Sequence, residues 1–113
     1  MIDRKNYQKE QKAADSLAAL GNRTRLRIFK LLVRAGHDGT NIGTMQRLLD
    51  VPATTLAHHL GMLAQAGLVE QERRGREVIC TANFNAVNDV IGYLKAECCA
   101  GLEAPRSTRN HAA

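Results

Sequence analysis

The chain has 113 residues, 44% hydrophobic and 24% charged, which suits one small globular domain able to bury its own core. No run approaches the roughly 18 apolar residues of a membrane span, and Met1 to Lys12 lacks the apolar core of a secretory leader. Three cysteines, two of them adjacent, do not make an extracellular disulfide framework, so a cytoplasmic, membrane-free protein is expected. Sixteen Lys and Arg against eleven Asp and Glu give a net charge of +5, compatible with a polyanionic partner.

A first helix is expected from Lys5 to Leu20, polar at its start and then apolar through Ala13, Ala14, Leu17, Ala18 and Leu20. Gly21 ends it. Asn22 caps a second helix reaching about Arg34, in which Leu26, Phe29, Leu32 and Val33 form a buried stripe that Ile28 and Leu31 widen. The same segment carries Arg23, Arg25, Arg27, Lys30 and Arg34 and no acid, which is either a phosphate-facing cluster or an ordinary solvated face. Gly36 and Gly39 mark a loop. Thr40 or Thr44 then caps a short helix ending at Leu49.

Pro52 stands near the start of the next helix, where its missing N–H has no partner to lose. That helix runs from Ala53 to about Ala66 and closes at Gly67. Leu68–Glu72 and Glu77–Thr81 read as two strands joined by Arg73-Arg74-Gly75-Arg76, with the glycine supplying positive φ at the tip. A last helix from Asn83 to Cys99 carries Val87, Val90, Ile91 and Leu94 at helical spacing, a stripe that a monomer of this size would struggle to cover. One domain over residues 1–101 and a disordered tail over 102–113 are expected.

The order is α-α-α-α-β-β-α, mainly α with a small β-hairpin. Two helices joined by a short turn and followed by a basic-tipped hairpin predict a winged helix-turn-helix. On the helix after Pro52, Leu56, Leu60 and Leu63 define the buried face. Thr54, Thr55, His58 and Gly61 then point outward, and the first three are uncharged hydrogen-bonding side chains suited to base edges. His59 lies at the edge of the apolar face, as a packed or capping histidine would. This helix has no charged side chain, so the neighbouring arginines are left to hold phosphates.

Leu20-Gly21-Asn22-Arg23-Thr24-Arg25-Leu26-Arg27-Ile28 resembles the L-x-x-x-x-R-L-x-I opening of the arsenic-repressor (ArsR/SmtB) family of winged-helix regulators. The run from Thr55 to Val69 resembles that family's recognition helix and its exit into the wing, and Gly75-Arg76 resembles the wing tip. The resemblance spans about Leu17 to Cys99. It implies a homodimeric repressor, joined through its first and last helices and released from operator DNA by a small effector. It further implies that Thr54, Thr55, His58 and Gln46 meet double-stranded DNA in the major groove, with His59 counted among the DNA-binding residues. Arg73, Arg74 and Arg76 would meet the minor groove or phosphates.

The effector is narrowed by which side chains are present. The family branch with a Cys-x-Cys motif at the short helix does not fit Asn41, Gly43 and Gln46. The branch with zinc along the last helix does not fit Asn83, Asn85, Asn88 and Asp89, because zinc sites normally need imidazole or thiolate. Cys98-Cys99 remains, and it resembles the arsenical-responsive members with a vicinal pair at this place. Adjacent thiols suit a soft, thiophilic centre; the plainer reading is two small hydrophobes at a dimer helix. Cys80 reads as packing. Trivalent arsenite tends to take three sulfurs, yet no cysteine follows Cys99, so either Cys80, water or a small thiol completes the sphere, or the inducer is a monosubstituted, for example methylated, trivalent arsenical.

No resident cofactor is required by this reading. A thiol-redox or persulfide sensor of the same fold is the alternative, with Lys95 one turn away to lower a thiol pKa. A small thiol enzyme lacks its Cys-x-x-Cys or Cys-x5-Arg motif, and Ser, His and Asp cluster in no nucleophile pattern. A basic dimerisation module that binds no DNA would fail to shift an operator.

Overall fold

The computed structural model describes residues 4–103. It contains α1 (Arg4–Leu20), α2 (Arg23–Ala35), a 3-10 turn over Gly36–Asp38, β1 (Thr40–Asn41), α3 (Ile42–Leu49), α4 (Ala53–Gln65), β2 (Val69–Arg74), β3 (Glu77–Ala82) and α5 (Phe84–Lys95). The architecture is a winged helix-turn-helix, with one strand more than the sequence led us to expect. β1 pairs antiparallel with β3, Thr40 opposite Cys80 and Asn41 opposite Ile79, so the sheet has three strands in the order β1-β3-β2. Two residues after a glycine carry too little periodicity to announce a strand; the β3 edge makes one of them.

Asparagine starts three of the helices. Asn22, Asn41 and Asn83 stand before α2, α3 and α5, and each side-chain oxygen accepts from the backbone N–H three residues on. The cap of α3 is therefore Asn41, not Thr40 or Thr44. Gly39 (φ +67°) lies against β3, where a Cβ would collide with the Cys80 carbonyl, so the entry into β1 requires glycine.

Ile28, Leu32, Met45, Leu56, Leu60, Leu63 and Leu68 are fully buried and form the centre, closed by Phe29, Val69, Cys80 and Ala82. The Leu56/Leu60/Leu63 face of α4 is buried as its spacing predicts. The stripe on α2 is different: Ile28, Phe29 and Leu32 go inside, while Leu26 and Val33 are exposed. The two sets sit about 100° apart on the helix, and a face carrying Arg27, Lys30 and Arg34 cannot turn inward without stranding charge. Leu48 is likewise exposed on α3.

The α5 helix ends at Lys95, with Ala96 as its cap residue, so Cys98 and Cys99 do not ride on it as expected. They occupy turns closed by Cys98 N–H to Lys95 O (3.0 Å) and Ala100 N–H to Glu97 O (3.0 Å). Cys99 has φ +63°, outside the helical region. The expected tail lies, from residue 104 on, outside the described residues. No helix among the described residues is long and apolar enough to cross a membrane.

Candidate nucleic-acid interface and thiol pair

The turn between α3 and α4 is Asp50-Val51-Pro52. Asp50 adopts a left-handed conformation (φ 54°, ψ 52°), and its N–H bonds Gln46 O at 2.9 Å, which closes α3. Pro52 enters α4 with φ −59°, and its carbonyl accepts from Leu56 N–H at 2.9 Å. This turn sets α4 against α3 with Gln46, Arg47 and Pro52 around a shallow surface depression. Gln46 is half-buried there and Arg47 is exposed. The sequence reading passed over Arg47; its signal was a lone cation beside Gln46, about 180° round the helix from the buried Met45/Leu49 face.

Thr54, His58 and Gly61 are exposed on α4 and Thr55 is half-buried, so these side chains share the face opposite the leucines. A Cβ on Gly61 would meet nothing within 4 Å, which leaves the α4 backbone open to close approach there. His59 departs from this group. Its Nδ1 lies 3.3 Å from Arg25 Nη1, its ring packs edge-on to His58 with centroids 5.3 Å apart, and it is half-buried. Desolvation, then the Arg25 charge, then His58 hold its pKa below the ordinary 6.5.

Arg25 belongs to a different task from the rest of the α2 bases. Its Nε donates to Ala19 O (2.6 Å), an unpaired carbonyl at the end of α1, and its Nη1 also donates to Met62 Sδ (3.2 Å) on α4. One planar guanidinium thus ties α1, α2 and α4 together. Arg23, Arg27, Lys30 and Arg34 keep to the exposed side of α2.

At the wing, Arg74 faces Glu77 across a two-residue turn, with Gly75 at φ +64°. Arg73, Arg74 and Arg76 are all exposed. Arg74 forks onto Glu72 Oε1 from Nε (3.2 Å) and Nη2 (3.0 Å), whereas side chains alternate along a strand and Arg73 shares the face of Gln71.

The sulfurs of Cys98 and Cys99 are 3.5 Å apart and both residues are exposed. Cys80 is buried on β3. Burial pushes its thiol pKa up, against a weaker opposing contact from Gln71 Nε2 at 3.8 Å. Among the described residues, no three His, Cys, Asp or Glu side chains gather closely enough to hold a metal ion.

A helix-turn-helix domain model matches residues 20–72, the stretch from the end of α1 through β2. An uncharacterized HTH-type transcriptional regulator of Methanocaldococcus jannaschii is 37% identical over 82 residues, 73% of this chain and 84% of its own. An ArsR-like transcriptional regulator from Rhodococcus sp. RHA1 superposes with a TM-score of 0.69 at 29% identity, covering 77% of this chain and 79% of that one. The chain belongs to the ArsR family of helix-turn-helix transcriptional regulators. The homodimeric winged helix-turn-helix DNA-binding domain from Mycobacterium bovis shares the fold over 94% of this chain and 97% of that one, with a TM-score of 0.68 and 21% identity. The Methanocaldococcus and Rhodococcus relatives are both transcriptional regulators.

Proposed function

We propose that this ArsR-family protein is a cytoplasmic, homodimeric repressor that grips operator DNA with α4 and the wing and releases it when a trivalent arsenical bridges Cys98 and Cys99. The observation that carries the inducer is the pair of exposed sulfurs 3.5 Å apart on adjacent residues. A monosubstituted arsenical, R–As(OH)2, has two hydroxyls to exchange. Each thiol protonates one departing hydroxyl, two waters leave and two As–S bonds form, with arsenic remaining trivalent. Cys80 is a poor third ligand, being buried with its thiol form favoured. Arsenite would need water or a small thiol to finish its coordination.

On DNA, Thr54, Thr55 and His58 read base edges with Gln46 beside them, and Arg73, Arg74 and Arg76 hold phosphates or the minor groove. His59 acts on the interface through Arg25 and the pose of α4. Dimerisation uses the apolar residues that α1 and α5 leave uncovered, Tyr7 and Leu17 on one helix, Ile91 and Leu94 on the other.

The test is release of a labelled operator by methylarsenite and by arsenite. Cys98→Ser and Cys99→Ser keep operator binding and lose release, while Cys80→Ser responds as the parent does. Release of both tail variants by arsenicals would remove the pair as the sensor. Release of the parent by polysulfide or peroxide but not by arsenicals would select the thiol-redox reading, which the same vicinal sulfurs also support.

A further inference from the structure

Between α1 and α5 lies a half-open cavity of about 520 Å³, a volume within the range of small-molecule sites. Its base is Ser16, a polar residue only 2% exposed, whose hydroxyl has no hydrogen-bond partner among the described residues. Hydroxyls buried in this way nearly always have one. Lys9 and Lys12 stand at the cavity from α1 with no ion pair among the described residues, and Ala13, Ala86 and Val90 give it apolar walls.

The cavity is distinct from the uncovered apolar stripe. Ala86, Asp89, Val90 and Tyr93 present it at i, i+3, i+4 and i+7 of α5, whereas Ile91 and Leu94 fall about 100° round the helix. The cavity therefore opens on a different side of α5 from Ile91 and Leu94.

We propose that this cavity binds a small organic acid, its carboxylate held by Lys9, Lys12 and the Ser16 hydroxyl, its apolar body on Ala13, Ala86 and Val90. Two cations opposite the single Asp89 carboxylate favour one negative charge on the ligand over two. The ligand bridges the two helices that the proposed dimer uses, yet its binding does not depend on the cysteine pair.

The probe is benzoate, with benzamide as its uncharged isostere, titrated into the full ¹⁵N-labelled chain at millimolar concentration. Saturable amide shifts centred on Ala13, Ser16, Ala86 and Val90 are expected, with benzoate binding about tenfold tighter than benzamide, the ratio that one favourable charge contact gives. Lys12→Gln, at an exposed position, removes the benzoate preference, and Ser16→Ala weakens both probes. Absence of saturable shifts overturns the proposal. So does equal binding of the two probes, or shifts that follow protein concentration instead of probe, which would mean that a second copy closes the cavity.

Discussion

Replacing Arg25 with Gln removes the group that joins the end of α1 to the face of α4 (Ala19 O at 2.6 Å, His59 Nδ1 at 3.3 Å, Met62 Sδ at 3.2 Å). A hydrogen bond from a charged donor contributes about 1.5–3 kcal/mol. The short Ala19 contact belongs in that range, and the two longer ones add little. A loss of roughly 2–3 kcal/mol in urea unfolding is therefore expected, with the slope unchanged because the buried area is nearly the same. The neighbour supplies a second readout. With the Arg25 charge gone, the His59 pKa rises toward 6.5 and stays below it, since desolvation is the larger cause of its depression. A group whose folded pKa is depressed binds fewer protons folded than unfolded, so the parent loses stability as pH falls below 6.5. The variant shows a shallower loss over the same interval. Imidazole titration by NMR and urea melts on either side of that pH measure both quantities. A variant as stable as the parent, or a His59 pKa that does not move, would refute the reasoning.

Thr55→Ala and His58→Ala should each weaken true operator binding by about 1–3 kcal/mol and leave random DNA nearly untouched, measured by anisotropy on both sequences. Arg76→Ala should weaken all sequences and reduce the salt slope by about one. Arg74→Ala should do less than Arg76→Ala, because Arg74 is already forked onto Glu72 and that surface pair is worth about 1 kcal/mol or less; a larger effect at Arg74 would show that DNA takes the guanidinium from Glu72.

The order of helices and the wing were legible because leucine spacing, the glycines and the arginine-rich tip each carry a local physical meaning. The buried face of α4 followed from Leu56, Leu60 and Leu63 alone. Three features were not legible. The β1 strand is imposed by the edge of β3 and has no pattern of its own. The inward face of α2 depended on where the charges of Arg27, Lys30 and Arg34 must stay, and apolar spacing by itself also admitted Leu26 and Val33. Arg25 looked like one more base in a cluster, since nothing local distinguishes a guanidinium aimed at a carbonyl six residues earlier and a histidine 34 residues later. For the candidate site, exposure of Thr54, His58 and the wing arginines followed from periodicity, whereas the turn of His59 toward α2 is a tertiary fact.

The end of α5 at Lys95 changes how an inducer must act. Cys98 and Cys99 lie past the helix, in turns anchored to Lys95 and Glu97 carbonyls, both are exposed, and among the described residues each sulfur has its polar contact with the other and none with α4 or the wing. Bridging two exposed sulfurs within one chain therefore gives no direct strain on the reading face. A ligand shifts an equilibrium only by its differential affinity for the two states, about 1–3 kcal/mol in ordinary coupling. That difference has to arise where the segment after α5 meets the second protomer, whose placement sets the distance between the two recognition helices. Leu94→Asp puts a charge on the uncovered apolar stripe, at a residue 62% exposed in the single chain, so the fold is kept while dimerisation is opposed. This variant should still take up methylarsenite with the parent's stoichiometry, sediment as a monomer and bind a half-site whose affinity the arsenical does not change. Release of that half-site by arsenical would show that a single chain carries the signal from its thiols to α4, and the dimer would no longer be needed to explain induction.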